Sequence, residues 1–478
     1  MLSSAVGPIK RLLWRDLRRA SLPNSLLHNS SSLVQEGPVF PFLHRSLVSF
    51  LVTLTLLSAS VGMSSAESAR DFEVWVIDQS DPKGLEFGGT IHIFDGNDLT
   101  GDAVAMATPV DVLDLSGETS TLCMASTGAN PVRPHMLSFN STHSHGILSF
   151  VASGHVVIFD ADTRAPVACL RASAGTAGER QAHAATPAPD DSYILVANQN
   201  GKLLERIDTD YASDTFTMRP EATLDLATCV TPNGAACEDP DLRPDNAPIV
   251  PVVDASSTLG FVTLRGGGLF VVDPKATPMR ILAEYDRTTV HGNGFAGVEA
   301  AGSMYVNSGG GSSTHMHGFA VYAFPLSGYG AADGPNTPAP HVVYSDDEGE
   351  RDSHGLVLTR NGEYLWVLDR VQNVAEVFDT ETGAHINTVD LNVGGPAGLA
   401  PDLADVSPSG DHVFISLRGP KPLSGDPHAS TGSTPGIGVI RVTEYGADGV
   451  LDCAVPIENL DADGAEHADA HGIRVRLT

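Results

Sequence analysis

Lysine is the scarcest of the charged residues here, with five in 478 positions, and 28 Lys+Arg in all oppose 58 Asp+Glu for a formal charge of -30. A surface so acidic repels nucleic acid and anionic membranes, which removes both as partners. Cysteine is also sparse, at five residues, with no CxxC or CxxCH spacing. That leaves a zinc ribbon or covalently attached haem without support. Gly-x-Ser-x-Gly, P-loop, dinucleotide-binding and HExxH motifs are all missing, which removes several common enzyme classes. Beyond the first 60 residues no apolar run is long enough to span a membrane.

Glycine (48) and proline (31) are abundant and the apolar runs are short. This composition favours many strands joined by turns. The N-terminal region differs from the rest. His44-Arg45 precede the apolar run from Leu47 to Leu57 and the small residues ending Ser64-Ser65-Ala66. This is the order of a secretory signal, so residues 45–66 are expected to be a signal peptide. Residues 1–44 then form an N-terminal extension, either a mis-assigned start or a targeting segment. Residues 1–66 hold six basic and two acidic residues, so a mature chain from Glu67 carries about -34. An exported, periplasmic or extracellular protein is expected. Five cysteines suit that compartment. Cys229 and Cys237 bracket a Pro-Asn-Gly loop and suggest a disulfide clip, while Cys123, Cys169 and Cys453 cannot be paired from sequence.

From residue 71 onward, four-strand units recur about every 40 to 55 residues, the spacing of propeller blades. The unit beginning Asp352-Ser353-His354-Gly355 is the clearest, and Asn361-Gly362 marks its first turn. Six full units follow three strands without a first partner. The missing strand is at the far end, where Asp469-Ala470-His471-Gly472 repeats Asp352-Ser353-His354-Gly355. The expected fold is therefore all-β, a seven-bladed propeller over 71–478 closed by pairing the C-terminal strand with the N-terminal blade.

Motifs such as YLWVLDR…AEVFDTETG and YILVANQNGKLLERIDTD carry a resemblance to extracytoplasmic seven-bladed propellers with YVTN-type repeats. It covers nearly all of 71–478 and implies the fold more than the function.

Aligning the first strands brings His135, His183, His291, His354 and His471 to one register. Asn246 or Ala247 and Pro401-Asp402 occupy it in the other two blades. First strands lie innermost, so residues in this register converge on the axis. A convergent set of neutral imidazoles suits Zn(II), Cu(I) or Cu(II). His315 and His317, in a connection on the same face, and Asp402 are weaker candidate ligands. Asp352 and Asp469, two residues before their histidines, are expected to orient the rings. The opposing reading makes these histidines staples within blades, as in WD-repeat propellers. The ring is similar in kind to the copper-binding sites of nitrous oxide reductase and the selenium-binding/methanethiol oxidase group. It departs from a full seven-histidine ring at Asn246 and Asp402, and the C-terminal cupredoxin-like domain is missing. Lactonase-type propellers favour carboxylate and amide ligands for calcium, against a histidine-dominated mouth.

Three classes of function follow. The chain binds a transition metal, Zn or Cu, for redox or hydrolytic chemistry, or it handles that metal without turnover. Alternatively it is a non-catalytic scaffold, with Gly266–Gly268 and Gly309–Gly311 as loop hinges. Expected partners are a metal ion or small molecule at the channel mouth and a protein on a propeller face. A monomer is expected.

Overall fold

The computed structural model describes residues 71–310, 318–330, 337–346, 350–359, 362–393 and 398–478. The N-terminal extension, the signal segment, His315 and His317 lie outside these residues.

Seven antiparallel sheets form the blades, each with the expected innermost strand. In chain order these inner strands are Pro134–Phe139, Ala182–Pro187, Pro248–Val253, Asn293–Ala300, Ser353–Thr359, Pro401–Val406 and Ala470–Leu477. The last one pairs with Phe72–Asp78, from Phe72 opposite Leu477 to Asp78 opposite Ala470. The strands left unpartnered at the N-terminus are thus completed by the C-terminus, and the ring closes without an open inner edge. Sequential hairpins make every blade cheap to form locally, whereas this one pairing joins the chain's two ends.

Apolar side chains alternate along the strands and meet between neighbouring blades. Trp75, Ile91 and Ile93 of the closing blade share a cluster with Leu137, Leu148 and Phe150 of the next. Trp366 is fully buried, and its Nε1–H donates to the Gly446 carbonyl 2.8 Å away. Outside the blades, helix Glu118–Thr127 leads into the second blade and is tied to it by a Cys123–Cys169 disulfide. Cys229–Cys237 forms the expected clip, and Cys453 is a free, half-buried thiol.

One irregularity is common to all seven inner strands. Each shifts register by one residue near its start, as between Ser353 and Leu356 or between Pro401 and Ala404. The same shift occurs at 134/137, 182/184, 248/251, 294/297 and, in the closing strand, 470/473. A β-bulge adds an extra residue on one strand and re-aims its side chain. Here the re-aimed residues all face the axis.

Candidate metal centre

The bulges define the axial ring: His135, His183, Ile249, Phe295, His354, Asp402 and His471. Five potential donors are contiguous, running His354, Asp402, His471, His135, His183, and the remaining arc is the apolar pair Ile249 and Phe295. All except His183 are buried, and His183 faces a cavity of about 400 Å³ whose lining includes His135 and His354.

Two of the aligned positions change. In the blade after Cys237, Ile249 holds the ring position, while Asn246 sits before the strand and donates from Nδ2 to the Leu226 carbonyl at 2.9 Å. In the next blade the ring residue is Phe295. His291 lies four residues earlier, half-buried, with Nε2 facing the Thr288 carbonyl at 2.8 Å. The shared His-Gly dipeptide explains why His291 aligns in sequence. Gly355 and Gly472 are the second residues of their bulges and lie against the next blade, where a Cβ on Gly472 would stand 2.8 Å from the His135 carbonyl. Gly292 instead takes a left-handed turn conformation (φ +64°) ahead of its strand. The same dipeptide serves two different backbone needs.

Hydrogen bonds fix which ring nitrogen carries a proton. His183 Nδ1 lies 3.0 Å from the Ile249 carbonyl, and His471 Nδ1 lies 3.0 Å from the His135 carbonyl. A carbonyl only accepts, so both Nδ1 atoms are protonated and both Nε2 atoms present lone pairs. His135 Nδ1 faces Gln79 Oε1 at 3.0 Å. That amide cannot be reversed, because Gln79 Nε2 donates to the Asp469 carboxylate at 2.9 Å. His135 therefore also presents Nε2 as an acceptor. It points at His183 Nε2, 3.2 Å away. Two lone pairs face one another with no proton assigned between them.

On the other flank, His354 Nε2 lies 2.7 Å and His471 Nε2 3.7 Å from the two oxygens of Asp402. His354 Nε2 is buried, with the Asp402 carboxylate as its charged neighbour. The ligand atoms of His354, Asp402 and His471 lie within 4.8 Å of one another. The rings also pack together, with His135 against His471 at 3.8 Å between centroids and His354 on Phe295 at 3.5 Å.

Burial holds every histidine of the ring neutral. It lowers His183 to about 4 and His354 to about 3, the latter with help from Arg370. His135 and His471 are pushed well below the usual range by burial, with His471 the next cause at His135 and Arg418 opposing protonation at both. Burial alone would raise Asp402, but His471 and His354 beside it and the guanidiniums of Arg418 and Arg370 hold it well below the usual carboxylate range, and with the histidines neutral the two guanidiniums carry that pull. Neutral imidazole and ionised carboxylate are the forms that bind metal.

A second tier surrounds the ring. The residues that directly follow the seven second strands are Gln79, Val151, Gln199, Arg265, Gly310, Arg370 and Arg418. Arg418 is fully buried and bridges Asp402 (2.6 Å) and Asp469 (2.7 Å). Arg370 binds Asp352 at 2.5 Å and reaches Asp402 at 3.4 Å. Asp352 and Asp469 thus act through these arginines and Gln79 rather than directly on His354 and His471. Around the ring, Asp352, Asp402 and Asp469 face the guanidiniums of Arg370 and Arg418, and burial raises the Asp352 pKa against the pull of Arg370. Sequence reasoning missed the tier, although its members recur at each second-strand exit, as in LDR370 and SLR418.

No family model matches the chain, and no curated protein does. Among solved structures, the chain is similar to a Lactobacillus plantarum protein (TM-score 0.55, 11% identity, covering 85% of this chain and 99% of that one). It is also similar to a 6-phosphogluconolactonase-like propeller from Bacteroides fragilis (TM-score 0.53, 12% identity, 85% and 98%). At such identities the likeness shows the propeller fold alone.

Proposed function

We propose that this is an exported propeller that binds a transition metal ion, Zn or Cu, at the axial donor arc. The observation that carries the reading is the opposed pair of Nε2 lone pairs on His135 and His183, 3.2 Å apart. Two nitrogens held 2.0–2.1 Å from one tetrahedral ion are about 3.3 Å apart. Without a cation between them, two buried acceptors repel. A shared proton is opposed by the burial that lowers both pKa values. His354, Asp402 and His471 offer further donors beside this pair, and nitrogen ligands suit Zn or Cu over the hard cations. The ionised Asp402 beside the histidines favours a cation. The cavity gives the ion access to exogenous ligands, which suits either redox or hydrolytic chemistry or metal transfer. Export is supported by the two disulfides, which persist in oxidising compartments.

The test is metal analysis of the full chain after incubation with Zn or Cu and gel filtration, beside His135→Ala/His183→Ala. Bound metal in the wild type, reduced at least tenfold in a folded double variant, is expected. A wild type without bound metal would make the histidines structural and favour the scaffold reading, with a protein partner on a propeller face.

A further inference from the structure

The cavity over the ring is uneven in its chemistry. Beneath the donor arc, Arg370 and Arg418 are both neutralised by buried carboxylates. Over the apolar arc stands Arg265, the second-tier residue of the blade that contributes Ile249. Its Nε pairs with Asp245 at 2.6 Å, a carboxylate that Lys202 also approaches at 3.5 Å, and its side chain is 42% exposed. Arg265 lines the cavity together with the amides of Gln181, Gln199 and Asn293. Gln181 donates from Nε2 to Gln199 Oε1 at 2.8 Å, which turns the Gln199 amide nitrogen away from that bond and leaves it for another acceptor. Val151, Ile249 and Phe295 complete an apolar wall beside these donors.

We infer that the cavity takes a small organic carboxylate. Its anionic group lies between the ring ion and Arg265, and its carbon chain lies on Val151, Ile249 and Phe295. This rests on the metal reading above. Three features favour an anion over a neutral or cationic ligand. A bound divalent ion adds positive charge to a buried setting where net charge is costly, and an anionic ligand offsets it. A guanidinium matches a carboxylate's two oxygens in a planar fork. The lining sets the donors of Arg265, Gln181, Gln199 and Asn293 beside the carbon of Val151, Ile249 and Phe295, the mixture an amphipathic acid needs, with Asp352 and Asp426 also on the wall. A volume near 400 Å³ limits the guest to a small molecule. Because the chain as a whole carries -30, carboxylates are repelled from its general surface, and saturable binding of one reports this site.

The experiment titrates Cu(II)-loaded full-length chain with butyrate, butyramide and butylamine, reading the visible and EPR spectra of the ion. Butyrate is expected to shift the spectra saturably, butyramide at least tenfold more weakly, and butylamine no better than the amide. Arg265→Gln, which retains the hydrogen-bonding stem and lies outside the donor arc, is expected to keep its copper and lose at least tenfold in butyrate affinity. Equal response to butyrate and butyramide, or unchanged butyrate binding in Arg265→Gln, would overturn the inference while the metal centre stands. A chain that takes up no copper would overturn the metal reading first, and this inference with it.

Discussion

At the scale of single residues, three of the four ring histidines are neutral rings held by neutral acceptors, and the fourth, His354, stands 2.7 Å from the Asp402 carboxylate. His183 and His471 each give a proton to a backbone carbonyl of the neighbouring blade, and His135 gives one to Gln79. Such bonds cost nothing in net charge and leave the Nε2 face open. Their pKa values dictate how the metal-free protein responds to acid. A histidine whose folded pKa lies below its unfolded value binds more protons when unfolded, so stability is full above about 6.5 and falls as pH drops toward the folded value. His183 and the structural His155, both lowered to about 4, contribute through that window, and His354 continues to about 3. Asp78, raised to about 6 by burial, works in the opposite direction and offsets about one of them. The unfolding free energy of the metal-free chain, from denaturant titration, is therefore expected to fall steadily from pH 7 to pH 4.5, by about 1.4 kcal/mol per pH unit for each extra proton taken up. A flat or rising profile would contradict the assignment of neutral histidines. Arg418 sets a second residue-scale expectation. Removing it in Arg418→Ala strands two buried carboxylates, Asp402 and Asp469, and should cost about 3–5 kcal/mol by equilibrium unfolding.

At the scale of the strand, the bulge is what turns a repeat into a site. Opposite four of the bulges stands a polar residue of the second strand: Ser149, Thr263, Asn307 and Ser416. Each donates to the carbonyl of the next blade's ring residue, as Ser149 does to His183 and Thr263 to Phe295 at 3.0 Å. Asn307 binds the His354 carbonyl at 2.7 Å and accepts from the Ala296 amide at 2.9 Å. Ser416 binds the His471 carbonyl in the same way. One side chain thus pins two bulges and the blade interface between them. Asn307→Ala leaves buried backbone groups unpaired, and a loss of about 1–3 kcal/mol in stability is expected from denaturant titration. Metal affinity should fall with it, since His354 loses its anchor. The glycines after the histidines impose the complementary limit. Gly472→Ala would drive a Cβ against Ile77 and the His135 carbonyl, so thermal melting should show clear destabilisation even though φ at this position is unexceptional.

This scale also explains what the sequence reveals and what it hides. Strand alternation and turn residues are periodic, so blade count and the Asp469–Gly472 closure can be read directly. A bulge breaks that period by a single residue and leaves no compositional mark of its own. The His-Gly dipeptide at 291–292 therefore aligns with those at 354–355 and 471–472, although Phe295 holds the ring position. Arg370, Arg418 and Gln79 were equally hidden, because a side chain just beyond a strand end has no predictable direction until the blades are assembled.

Across the whole molecule, the two chain ends meet in one blade, and the closing strand carries a ring histidine. Closure and the donor arc are consequently one event: until Ala470–Leu477 docks on Phe72–Asp78, His471 and its contact with Asp402 do not exist. The Cys123–Cys169 bond closes a loop of 46 residues within the same assembly. By the chain-entropy model such a crosslink stabilises by about 4 kcal/mol. Cys123→Ser/Cys169→Ser should lower the denaturant midpoint accordingly, and the wild type should be much less stable after reduction. Equal stability of reduced and oxidised protein would argue against the disulfide as a support of the fold. No helix among the described residues is long and apolar enough to cross a membrane.

Every role proposed for this site depends on the axial histidines holding a metal ion. X-ray absorption at the metal edge of the Zn- or Cu-loaded full chain tests it most directly. Nitrogen neighbours at about 2.0–2.1 Å with the outer-shell scattering of imidazole rings are expected, lost in His135→Ala/His183→Ala. An oxygen-only shell, or a spectrum unchanged in that variant, would contradict it.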